Sequence, residues 1–160
     1  MLNIKIVCVG KLKEKYLKDA CAEYQKRLGA YCRLEIFELP EERIAQNPSS
    51  TEVERVIKAE GERIVQKLHR ADVVVSMCIE GKEMSSEELS DYIQNQTVQG
   101  VSSIVFVIGG SYGLSGEVKS MSGLKLSMSK MTFPHQLARV MLLEQVYRAF
   151  QIASGGKYHK

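Results

Sequence analysis

Residues 103–113 read SIVFVIGGSYG, an uncharged run of β-branched and aromatic side chains that ends on a glycine cluster. A short apolar run closed by turn residues is what a strand covered on both faces looks like, whereas a strand with one wet face would alternate. Asp72–Ile79 (DVVVSMCI) is a second run of the same kind. Leu2–Val9 alternates and is rich in Ile and Val, as a strand should be, and Leu34–Leu39 is another strand, stopped by Pro40. Strands buried on two sides need layers above and below them, so the sequence between them has to supply those layers.

It does so with helical spacing. From Lys13, the residues Leu17, Cys21, Tyr24 and Leu28 make one apolar stripe, and Gly29 follows as a C-terminal cap. After a polar loop over 41–50, Thr51 with Glu54 forms a capping box, and Val53, Ile57, Ile64 and Leu68 line one face of a helix. Ser85 with Glu88 opens another helix through Leu89 and Ile93. The order is strand, helix, strand, helix, strand, helix, strand, then a glycine-rich turn leading toward a short helix, and a long final helix. Alternation of this kind predicts an α/β fold, a mainly parallel sheet with helices on both faces. There are no repeats, low-complexity tracts or linkers, and one domain over 1–160 is expected.

The last helix, Pro134–Ala153, starts on a proline that suits the first turn. It is apolar nearly all round, and Arg139, Glu144, Gln145 and Arg148 interrupt it enough to argue against a membrane span. Such a helix must be covered on most sides. A second subunit is the expected cover, giving a homodimer, and burial at the centre of a monomer is the alternative.

With 44% hydrophobic and 26% charged residues the composition is that of an ordinary soluble protein. Cys8, Cys21, Cys32 and Cys78 form no CxxC pair, and His69, His135 and His159 lack metal-ligand spacing, so no metal is expected. No signal peptide precedes the first strand, and a cytoplasmic protein with reduced thiols is the simple expectation. The net charge of +3 hides a division along the chain. Residues 1–33 carry eight Lys/Arg against three acids, 34–100 seven against fourteen, and 101–160 seven against two. Basic ends around an acidic middle suit a polyanion-binding face, although solvated charges also segregate by chance in a short chain.

Two segments carry candidate chemistry. Gly109-Gly110-Ser111-Tyr112-Gly113 leaves a buried strand, where open α/β sheets bind ligands, and glycine lets the backbone approach them. The spacing is neither G-x-G-x-x-G nor a Walker loop, and a ligand-free tight turn would have the same composition. Leu126–Gln136 (LSMSKMTFPHQ) joins a strand end, a small-residue loop and a helix with His135 in its first turn. His135 and Arg139 share a helical face. A proton acceptor beside a phosphate clamp is one reading; a capping or core histidine is the other.

Taken together, Ile108-Gly109-Gly110-Ser111 with Gly113-Leu114, then Leu126-Ser127 with Ser129-Lys130-Met131-Thr132-Phe133-Pro134-His135-Gln136, then Glu144-Gln145 with Tyr147-Arg148-Ala149-Phe150, and the final Tyr158-His159-Lys160 closely resemble the bacterial large-subunit rRNA pseudouridine N3-methyltransferases of the SPOUT superfamily. Val9–Tyr16 and Ile79-Glu80-Gly81-Lys82 also look like that family, so matching blocks run from residue 9 to 160. The resemblance implies a C-terminal trefoil knot, which general topology rules would not suggest. It implies S-adenosylmethionine as cofactor, with Met77, Gly109, Met128, Ser129, Lys130, Met131, Thr132 and Phe133 at the contact positions. It implies a homodimer acting on ribosomal RNA, with the tail of one subunit near the cofactor of the other. A base must remove the N3 proton, and no covalent intermediate is required. His135 and His159 are the candidate bases, Tyr158 would stack on or orient the nucleobase, and Arg139, Lys130 and Lys160 would contact phosphate. Lys157 stands where the family usually has proline before Tyr-His, and Met77 replaces a more usual leucine of similar volume. A SPOUT enzyme acting on another RNA nucleoside, and a non-catalytic ribosome-binding protein, are the competing readings.

Overall fold

A computed structural model describes residues 1–160. The elements are β1 (Asn3–Val9), α1 (Lys15–Leu28), β2 (Arg33–Leu39), α2 (Ser50–Lys67), β3 (Val73–Glu83), α3 (Ser86–Val98), β4 (Ser103–Ile108), α4 (Gly116–Ser120), β5 (Leu124–Ser127) and α5 (His135–Ala153). The five strands form one sheet in the order β2-β1-β4-β3-β5, and every neighbouring pair is parallel.

Strand alternation divides the interior into two layers. Ile4, Ile6 and Cys8 of β1 and Ile104, Phe106 and Ile108 of β4 pack with residues of α1, α3 and α5. Val7, Val9, Val105 and Val107 point the other way and pack with residues of α2 and α4. All six residues of β4 are buried, as its uniformly apolar sequence predicts.

Four local expectations change. β5 is a full fifth strand, of four residues (LKLS), where the sequence showed only a strand end at Leu126. β3 runs past Ile79 to Glu83: after Met77 pairs with Leu126 the register shifts, and Lys82 and Glu83 pair again with Leu126 and Ser127. Its backbone passes so close to β5 that a methyl group on Gly81 would lie 2.7 Å from the carbonyl of Lys125. The cap of α2 is Ser49, whose side chain accepts from Glu52 N at 3.2 Å, so Thr51 lies inside the first turn. The buried side of α2 is Val56, Glu60, Gly61 and Ile64, with Val53 and Ile57 only half-buried. The Ser85–Glu88 capping box forms with both bonds at 3.0 Å. Gly29 ends α1 in the ordinary right-handed conformation, φ −57°.

α5 is covered chiefly by its own chain. Leu142, Leu143, Val146 and Ala149 are buried against α1, α3 and the sheet. Val146 is thus a core residue. What remains partly open on α5 is Leu137, 40% exposed, with half-buried Val140, Met141, Phe150 and Ile152.

Candidate active site

A cavity of about 850 Å³ opens at the carboxyl ends of β3, β4 and β5, where parallel sheets place ligands. Three segments wall it: Met77–Glu80 at the register shift within β3, Ile108–Leu114 leaving β4, and residues 126–129 and 131–135 from the end of β5 to the start of α5. Met77, Gly109, Met128, Ser129, Met131, Thr132, Phe133 and His135 all line it, whereas Lys130 lies in the same loop, exposed, off the cavity wall. Residues far apart in sequence therefore converge, because β3 and β4 are neighbours and β5 lies on the other side of β3.

The glycine turn is tight for steric reasons. Gly113 has φ +85° and its N–H donates to the Gly110 carbonyl at 3.0 Å. A methyl on Gly109 would lie 2.9 Å from the carbonyl carbon and oxygen of Gly113 and from Leu114 Cδ2. The facing loop is pinned by its serines: Ser127 Oγ donates to Ser129 O at 2.9 Å, and Ser129 Oγ accepts from Met131 N at 3.0 Å.

Charge is sparse around the cavity. Glu80 and Lys119 pair at the rim, and the lysine's hydrogen bond holds the Glu80 carboxyl below the usual carboxylate range. His135 Nε2 lies 3.6 Å from Glu41 Oε1. Lys13 N donates to Gln136 Oε1 at 2.9 Å, which holds the segment carrying exposed Lys11 and Lys13 beside the start of α5. Cys78 lines the cavity, but burial raises its thiol pKa; burial takes Cys8 to about 12 and Cys32 to about 11. These thiols keep their protons at neutral pH. No group of three His, Cys, Asp or Glu side chains is placed to hold a metal ion, and no helix is long and apolar enough to cross a membrane.

Two predicted site groups are not brought to the cavity. Arg139 is 3% exposed; its guanidinium donates to Glu38 Oε2 at 2.6 Å and to the Gly10 carbonyl at 3.1 Å. It pins α5 to the ends of β1 and β2 and offers no open fork for phosphate. The tail folds back on its own chain, through a turn in which Gly156 N donates to Gln151 O. Tyr158 Oη donates to Glu144 at 3.0 Å, its ring meets Tyr147 edge-on at 5.0 Å, and Arg148 sits 4.7 Å over it. His159 lies between Glu87, at 2.6 Å, and Arg148, at 3.1 Å. Burial, with the hydrogen bond to Glu144, pushes the Tyr158 phenol to about 12, so in this position it keeps its proton. Sequence reasoning missed Lys119 and Glu41, which carry no local pattern of their own.

The family described as "Predicted SPOUT methyltransferase" matches residues 2–159. The chain is 54% identical to the ribosomal RNA large subunit methyltransferase H of Clostridium perfringens and 48% identical to that of Streptococcus uberis, each over 99% of this chain and 100% of the relative. Among solved structures, a probable methyltransferase from Bordetella pertussis superposes with a TM-score of 0.58 over 91% of this chain and 93% of its own, at 9% identity. A probable methylase family protein from Haemophilus influenzae gives 0.56 over 98% and 70%, at 13% identity. At such identities the two structures speak for the fold.

Proposed function

The chain belongs to the SPOUT methyltransferase family, and on that premise we propose that it methylates N3 of a pseudouridine in large-subunit ribosomal RNA, with S-adenosylmethionine as methyl donor. That it is a large-subunit rRNA methyltransferase rests on full-length relatives of that name at about half identity. Family membership implies the C-terminal trefoil knot. The nucleotide, the cofactor contacts and the roles of single residues are our reading. The observation that carries it is the convergence of the three walls on one cavity with His135 at its edge.

The cavity fits the cofactor. Met77, Ile108, Leu114, Leu126 and Met128 give an apolar bed for an adenine ring, and the backbone of Gly109–Gly113 and Met128–Phe133 can present polar groups to the remainder. When bound, the cofactor supplies a methyl group on a positively charged sulfur, which leaves as a neutral thioether. The protein has then to hold N3 in line with that methyl and accept its proton. His135 is the one histidine lining the cavity, and we assign it the proton-accepting role, with Glu41 beside it to stabilise the imidazolium. Tyr158 and His159 of the same chain are held away from that cavity, so they would act only from a partner subunit or after release. Mapping N3-methylpseudouridine in ribosomes from cells with and without the gene tests the reading; an unchanged modification map would overturn it.

Two further expectations follow. RNA affinity should fall steeply with salt, and alanines at Lys11 and Lys13 should make the slope of log K against log salt shallower by about 0.7–0.9 per lost contact. A slope identical to wild type would take both lysines off the RNA face. We also propose a homodimer through the open side of α5. Since Leu137 is already 40% exposed, Leu137→Asp should leave each subunit folded while sedimentation shows monomers. A wild-type monomer at micromolar concentration would refute the dimer.

A further inference from the structure

The buried stripe of α2 is apolar except at one place. Glu60 is 5% exposed, between Val56 and Ile64 on the side that packs against the sheet and α4. Its Oε2 accepts from Glu42 N at 3.0 Å, but Oε1 is buried with no partner. The nearest cation does not serve it. Arg63 donates to Glu42 Oε2 at 2.6 Å and to the Pro40 carbonyl at 3.0 Å. A half-satisfied buried carboxylate is costly, and hydrocarbon at this position would pack without that cost.

What lies against the free oxygen is the wall of the cavity. A methyl built on Gly110 would sit 3.0 Å from Glu60 Oε1 and 3.5 Å from Oε2, so the carboxylate packs directly on that residue. The next residue, Gly61, lets α2 approach Ser115 more closely still at the far end of the turn. Glu60-Gly61 thus brackets residues 110–115 from behind, on the face away from α5.

We propose that Glu60 is the positioning residue of the glycine turn: its free Oε1 accepts a backbone N–H of Gly110 or Ser111 when the turn closes on S-adenosylmethionine. Glu42 N–H holds the other oxygen and fixes the carboxylate's direction. The inference rests on the cofactor reading above and adds a residue that does not itself touch the cofactor. The charged groups facing Glu60 are Glu41 and Glu42 from the β2–α2 loop and Arg63 on α2, while the turn itself carries none. Burial raises the Glu60 carboxyl above its ordinary range. Cofactor affinity should accordingly be full well above that pKa and decline as pH falls through it, because the protonated form loses an acceptor.

The test is calorimetry with S-adenosylmethionine across pH. Glu60→Gln turns an amide N–H toward the turn in place of an acceptor. It should stay folded, bind the cofactor about ten-fold more weakly at neutral pH, and lose the acid-side decline. The decline should persist in His135→Ala, which separates it from the cavity histidine. Wild-type affinity and an unchanged pH profile in Glu60→Gln would overturn the proposal while leaving the cofactor reading intact. Absence of binding by the wild type would overturn both. Should Glu60→Gln fail to fold, amide exchange of the wild type decides: the Gly110 or Ser111 amide should gain protection on adding the cofactor, and no gain refutes the role.

Discussion

Valine at position 109 should abolish methyl transfer and lower affinity for S-adenosylmethionine by at least about a hundred-fold. The cause is the turn itself. The first carbon of any side chain there meets the Gly113 carbonyl and Leu114 at 2.9 Å, so the turn must open before the rest of the valine is accommodated. Opening it displaces together the backbone groups that face the cavity, and several hydrogen bonds are lost at once. Stability should suffer less: overpacking of this kind costs about 1–3 kcal/mol, a fall in Tm of several degrees for a protein of this size. Gly116→Ala is the control, because a methyl there meets nothing within 4 Å. Calorimetry on the two variants separates the outcomes, and normal cofactor affinity in Gly109→Val would remove the glycine turn from the binding site.

Deleting Tyr158, His159 and Lys160 should cut methyl transfer on ribosomes by about 10²–10⁴, as much as the loss of a general base, on our proposal that the tail of a partner subunit positions the nucleobase for His135. Folding and cofactor binding should stay nearly intact. The tail's contacts are with Glu144, Arg148, Tyr147 and Glu87, all outside the cavity of its own chain. Fraying a chain end normally changes little, which makes a large effect informative. Single variants then divide the roles. The histidine whose replacement by alanine also removes the acid-side fall in rate is the base, since a base must be deprotonated to act. A truncated enzyme that methylates at close to the wild-type rate would show that the tail is a folded-back end and nothing more.

How much of this was legible in sequence follows from how local each signal is. The double-sided burial of β4 is written in its six residues, and the Ser85 cap in four. β5 was legible only as a strand end at Leu126, because LKLS is too short for its alternation to stand out and owes its place to β3. Arg139 shows the limit most clearly. Its spacing from His135 placed it correctly on one side of α5, but its partner Glu38 is 101 positions away, and no local pattern turns a phosphate clamp into a buried pin. Glu60 is the reverse case: an acid on a helix looks like a solvated one until the fold buries it. The cavity residues Met77, Gly109, Met128, Ser129, Met131, Thr132 and Phe133 were reached through the family resemblance, which also named Lys130, off the wall. Spacing alone pointed only to two loops.

The core layer shared by α1, α3 and α5 has a bearing on how the protein is made. Leu142, Leu143, Val146 and Ala149 are made after every other element, yet they complete the layer to which Ile4, Ile6 and Cys8 of β1 already contribute. Until they emerge, a nascent chain holds an apolar sheet face with its central helix missing. Every strand pairing is also parallel and non-local, which slows folding and prolongs that exposure. Chains cut short before residue 135 should therefore accumulate as aggregates rather than as soluble fragments. Folding kinetics of the intact protein should be limited by docking of the last segment, long after the first three strands have become available to pair.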